Sequence, residues 1–175
     1  MQMIFLITAF LWSAAGAACD IMSRRIPNAV TYSGVALGIV LRTSLLGWQG
    51  LGTALAGGLI GGGIFFFFYL IRGMGGGDVK LMAALGCITG PWLILQIVTA
   101  CALAGGVMAI AVMIYKKRAV RTIRNVGALL RFRFLHGAQM HPTLNIDSPE
   151  SLRMPYGIAI AAGALYPLVQ VLISR

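Results

Sequence analysis

Residues 50–71 read GLGTALAGGLIGGGIFFFFYLI and contain no charged side chain. A bilayer core about 30 Å thick needs roughly 20 apolar residues in helical form, so this stretch can cross one. Similar apolar stretches lie outward on both sides, at about 2–20, 28–47, 91–115 and 154–173, with a shorter one at 78–90. Of the 175 residues, 59% are hydrophobic and only 10% are charged. Soluble domains run nearer about a quarter charged, so this composition cannot build a water-facing surface. The prediction is an all-α, polytopic membrane helical bundle with about six membrane segments. The fourth is short and is read either as a half-span or as tilted into the fifth.

Local signals agree with these bounds. Pro27 can start the second helix, where its missing N–H is an orphan anyway, and Pro91 can open the fifth. Gly47 and Gly50 bracket a turn. Gly57 with Gly61 and Gly58 with Gly62 make two overlapping G-x-x-x-G spacings, which permit close helix approach. Packing inside the bundle is preferred over a dimer interface. The expected organisation is one membrane-embedded domain over 1–175, with a basic loop at about 116–153.

The formal net charge of +10 does not point to nucleic acid, because the basic residues sit at the ends of apolar stretches and in that one loop. This is how a membrane protein fixes its orientation. With Arg24 and Arg25 in the cytoplasm and each segment crossing once, only Arg42 and Arg175 of the 14 Lys and Arg fall outside. The loop carries Lys116, Lys117, Arg118, Arg121, Arg124, Arg131 and Arg133. Val120, Ile123, Leu130 and Phe134 suit one face of an interfacial helix, with anionic lipid heads as its partner. His136 and His141 are read as solvated. Cys19, Cys87 and Cys101 include no C-x-x-C pair and are read as small buried hydrophobes, not disulfide or zinc ligands. The first apolar stretch has no basic region before it and is read as a retained helix.

Four acids remain: Asp20, Asp78, Asp147 and Glu150. The last two lie in the polar loop. Under the preferred orientation Asp20 ends one helix and Asp78 begins another at the same membrane face. A carboxylate beside a membrane helix is costly, so each either caps a helix end or serves chemistry. Two at one depth favour chemistry. Asp78 follows Gly73-Met74-Gly75-Gly76-Gly77, where glycines permit left-handed or crowded backbone and close approach of a substrate strand. The stretch lacks the G-K-[ST] continuation of a phosphate loop.

Gly75-Gly76-Gly77-Asp78-Val79-Lys80-Leu81 resembles the G-x-G-D-x-K-L motif of type IV prepilin peptidases, which are intramembrane aspartyl proteases. Asp20 with the trailing Ile26-Pro27-Asn28 is similar to their first catalytic aspartate. Met154-Pro155-Tyr156-Gly157 resembles their late P-[YF]-G segment. The resemblance implies that Asp20 and Asp78 are catalytic and that Gly75, Gly77, Pro27, Pro155 and Gly157 shape the site. Arg24, Arg25 and Lys80 are read as anchors or lipid contacts. The large N-terminal insertion with paired C-x-x-C motifs is missing, so zinc binding and N-methylation do not carry over. The chain looks like the short form associated with tight-adherence (Flp) pili.

The implied reaction is hydrolysis, at the cytoplasmic face of the inner membrane, of the bond after a glycine that follows the basic leader of a prepilin or pseudopilin. Pilus assembly proteins are further expected partners, and no cofactor or metal is expected. Two carboxylates about 4 Å apart repel by roughly 4 kcal/mol at an effective dielectric of 20. One therefore keeps its proton at neutral pH, while the ionised partner activates water. A proton-coupled transporter, a non-catalytic secretion scaffold and an archaeal preflagellin peptidase remain alternative readings.

Overall fold

The computed structural model describes residues 2–70, 74–115 and 156–174. Every regular element among them is a helix: α1 (Gln2–Ser23), α2 (Asn28–Leu70), α3 (Gly76–Thr89), α4 (Pro91–Tyr115) and α5 (Tyr156–Ile173). The 116–153 loop, with its basic residues, both histidines, Asp147 and Glu150, lies outside the described residues, as does Pro155. Two compact units divide the chain, Met1–Gly105 with Pro155–Arg175, and Gly106–Met154. The first unit holds both candidate catalytic acids, Asp20 and Asp78.

Helices α1, α2, α4 and α5 are long and apolar enough to cross a membrane. The chain is thus a membrane protein by composition and helix length. Helix α2 is broken at Gly47, whose φ of 61° and ψ of −146° are outside the helical region. A positive φ is nearly free for glycine and costly for other residues, so the break falls where the sequence permits it. The turn expected around Gly47 and Gly50 is therefore present.

The two legs of α2 run antiparallel, and α3 shows why. Along the first leg Gly34 packs against Ala84, and Gly38 against Cys87 and Ile88. Along the second, Gly57 meets Gly86 and Gly90, whereas Gly61 meets Met82. Partner numbers on α3 rise along one leg and fall along the other. A hairpin thus holds α3 in its groove. Both G-x-x-x-G pairs face α3 (Gly58 on Cys87, Gly62 on Ala83), so they serve packing within the chain.

Helix α3 has 14 residues and is about 21 Å long at 1.5 Å per residue. From Leu81 to Thr89 it is buried at every position except the half-buried Ala83. A helix apolar all round belongs in an interior, and α3 is the interior here. Helix α1 buries Leu6, Ala9, Ser13 and Ala17 along one face. Gly16 brings α1 against Leu81, and Trp12 Nε1 donates to Val30 O at 2.9 Å to tie α1 to α2.

The charge pattern puts Arg42 on the outer side of the membrane, and in the structure its side chain turns into the bundle. Only 8% of its surface is exposed. Its Nη1 donates to Ile88 O at 3.3 Å and its Nε to Thr53 Oγ1 at 3.1 Å. The guanidinium also stacks over the Phe5 ring, 4.8 Å from its centroid. Helix α3 ends short of a full span, so its last carbonyls need a donor that lipid cannot supply. A cation there also suits the negative end of the helix dipole. Gly90, at φ 80°, leaves room: a Cβ there would sit 2.7 Å from the guanidinium carbon. Arg42→Met is expected to lower unfolding stability in detergent by about 1–3 kcal/mol, the cost of an orphaned buried acceptor. Equilibrium denaturation of the purified protein measures it.

Candidate active site

Asp20 lies in the last turn of α1, just before the chain leaves the helix. Arg24 N donates to Asp20 O at 2.8 Å, and Arg24 takes a positive φ of 51° that ends α1. Arg24, Arg25 and Pro27 are exposed. The Pro27 carbonyl accepts from Val30 N and Thr31 N, forming the first turn of α2.

The Asp20 carboxylate is held from the far end of the sequence. Gly157 N donates to Asp20 Oδ2 at 2.9 Å. Gly157 is in the first turn of α5, where backbone N–H groups have no helical partner and the dipole favours an anion. A side chain at 157 would crowd this contact, since its Cβ would lie 2.9 Å from Ala17 Cα and 3.2 Å from Asp20 Oδ2. Gly157→Ala is expected to cut peptidase turnover by about a hundredfold, because a misplacement near 1 Å costs that much. Steady-state cleavage assays on protein matched for folded amount check this.

Asp78 sits in the first turn of α3 and is half-buried. Its N–H donates to Gly75 O at 3.2 Å. Asp20 and Asp78 are near enough for the charge of one to act on the other. Two helix ends, the last turn of α1 and the first of α3, thus put the acids within electrostatic reach of each other.

Of the glycines before Asp78, Gly75 to Gly77 lie among the described residues and show the crowding expected of them without left-handed backbone. Gly75 is extended, at φ −78° and ψ 148°, and the positive-φ glycines among the described residues are Gly47 and Gly90. What the glycines provide is proximity. A Cβ on Gly75 would lie 3.2 Å from Asp78 Oδ2, and one on Gly77 would lie 3.2 Å from Ile26 Cβ. The face of Gly77 is thus filled by Ile26, which packs the segment after α1 onto the start of α3.

Lys80 Nζ donates to Asn28 Oδ1 at 2.9 Å and lies 5.4 Å from the Tyr32 ring centroid. Sequence alone offers no partner for it within the chain. It clips α3 to α2 and holds Asn28 in the frame of the site. Because the pair is exposed, Lys80→Ala should cost less than about 1 kcal/mol. Activity should then stay within about tenfold of wild type, the factor that 1.4 kcal/mol represents.

Tyr156 has no role legible in the sequence beyond its place in the late motif. Its ring packs edge-on against Phe65, with centroids 6.5 Å apart, and its hydroxyl abuts Gly105 of α4. Asp78 and Cys101 are its charged and titratable neighbours. Its sequence neighbour Gly157 binds Asp20. The only local signal is its position beside that glycine.

The family model of the type IV leader peptidases matches residues 6–110, a range that includes Asp20, the glycine turn and Asp78. The chain belongs to the type IV leader peptidase family. It is accordingly a peptidase, and the family implies a prepilin-type substrate. No curated protein and no solved structure matches this chain. As a type IV leader peptidase it carries both acids within the matched range, while Gly157, which binds one of them, lies beyond it.

Proposed function

We propose that this leader peptidase is an aspartic endopeptidase of the inner membrane that cleaves Flp-type prepilins or pseudopilins. Asp20 and Asp78 are its catalytic pair. The observation that supports this reading is that two separate helix ends put the acids within electrostatic reach of each other, one acid bound by the α5 N-terminus and the other beside a run of glycines. Where catalysis brings the two carboxyls to about 4 Å, one keeps a proton and the other is ionised. The ionised group takes a proton from water, which attacks the scissile carbonyl. The protonated group hydrogen-bonds the carbonyl oxygen as negative charge develops there.

The distribution of Lys and Arg supports a site at the cytoplasmic face, with the two legs of α2 and α3 each crossing or entering the membrane. The basic 116–153 segment is then a cytoplasmic loop of the same domain. A basic leader stays in the cytosol in this arrangement, while the apolar stalk behind it enters the bilayer. Pro27 and Gly75 shape the approach, and Pro155 is assigned the same part from its motif.

The test is co-expression with a Flp-type prepilin bearing a basic leader. The precursor should shorten on a gel, and the product should begin at the residue after the junction glycine. An uncut precursor in the presence of membrane-inserted wild-type protein would refute the reading.

A further inference from the structure

A groove of about 650 Å³ runs along the seam between α4 and α5. Its α4 wall is one helical face, from Trp92 through Gln96 and Ala100 to Leu103, and its α5 wall is Ala162, Tyr166 and Gln170. These spacings of three, four and eight residues place each set on a single side of its helix. The two helices touch behind it, where Gly163 packs on Ile97 O and on Cys101.

One end of the groove lies within about two helical turns of the residues that touch Asp20. Leu103 is two residues from Gly105, which abuts the Tyr156 hydroxyl, and Ala162 is five residues from Gly157, which binds Asp20. The other end lies near Trp92 and Gln170, about 16 Å further along α4. Both Gln96 and Gln170 are exposed there, on helices apolar enough to cross a membrane. An amide facing lipid leaves donors and acceptors unmet, whereas amides at helix contacts bond across them. Small residues in the walls, Ala100 and Ala162, let a further helix come close.

We propose that this groove holds the apolar stalk helix of the substrate, on the C-terminal side of the bond that is cut. The inference rests on the peptidase reading above and adds a binding site to it. A helix entering at Leu103 and Ala162 then begins a few residues beyond a scissile bond at Asp20 and Asp78. Gln96 and Gln170 then meet a small or polar side chain roughly ten residues into the stalk, given 1.5 Å per residue. Recognition is thereby shared between the acid pair, which reads the junction, and the groove, which reads the helix behind it.

Two measurements test this on the full chain in membranes with a co-expressed prepilin. In the first, a photo-crosslinking residue replaces Ala100 or Ala162 in an Asp78→Asn background that retains uncut substrate. Crosslinks to the stalk are expected from both positions and not from Leu59, which is exposed on α2 outside the groove. Crosslinks to a second copy of this chain, or to lipid alone, overturn the proposal. In the second, Ala162→Trp fills the groove. The kcat/KM for intact prepilin should fall by about tenfold or more, mainly through KM, the sign of lost binding. A short peptide with leader and junction but no stalk should still be cut at the wild-type rate. Unchanged KM for prepilin overturns the groove while leaving the peptidase reading intact. If wild-type protein cuts neither prepilin nor peptide, both fall together.

Discussion

Asp20→Asn and Asp78→Asn will each reduce prepilin processing by at least about a hundredfold, the lower end of what positioned acid–base catalysis supplies. The substitution keeps the shape of the side chain and removes its ability to ionise. At position 20 the amide oxygen can still accept from Gly157 N, so the link between α1 and α5 is retained. The loss is therefore chemical and not a loss of fold. Immunoblots of membrane fractions should show normal amounts of both variants, and thermal unfolding should move little. The double variant should be no worse than either single one, because the two groups act as a unit. Normal processing by either single variant would exclude a two-aspartate mechanism.

Gly86→Val and Gly57→Val will have the largest effect on stability, with a loss of about 3 kcal/mol or more from overpacking. Here α2 and α3 meet backbone to backbone. A Cβ on Gly86 would overlap the Gly57 carbonyl, and a Cβ on Gly57 would overlap the Gly86 carbonyl. Neither obstacle is a flexible side chain that can swing aside. The helices must separate, which also loosens Leu85 and Ile88, both fully buried on α3. Gly63 is the control, since nothing lies within 4 Å of a Cβ placed there. Gly63→Ala should leave stability unchanged or raise it by roughly 0.5–1 kcal/mol, the helix preference of alanine over glycine. Detergent-resistance melts of the three variants give the comparison.

The parts legible in the sequence were those fixed by local chemistry. Apolar length gave the long helices, and the glycines near 47–50 marked the break in α2. The brevity of α3 was visible in the distance from Asp78 to Pro91. Asp20 and Asp78 stood out because acids are scarce and expensive in such a chain. What could not be read were pairings across the chain. Arg42 with Ile88, Lys80 with Asn28, and Gly157 with Asp20 join residues 46, 52 and 137 positions apart. No periodicity encodes such separations, since they arise only once the hairpin and α3 are assembled. The glycines before Asp78 show the converse. Their presence was plain, but whether they supply unusual torsions or bare surface depends on the neighbour, here Ile26.

The burial of α3 bears on how the molecule is made. Emerging after the α2 hairpin, this helix is too short to partition into a bilayer by its own apolar length. Its place is the groove of that hairpin, where the Arg42 guanidinium meets its last turn. The hairpin that receives this segment therefore also positions the carboxylate at the segment's start. Damage to the hairpin far from that carboxylate should accordingly be felt at it.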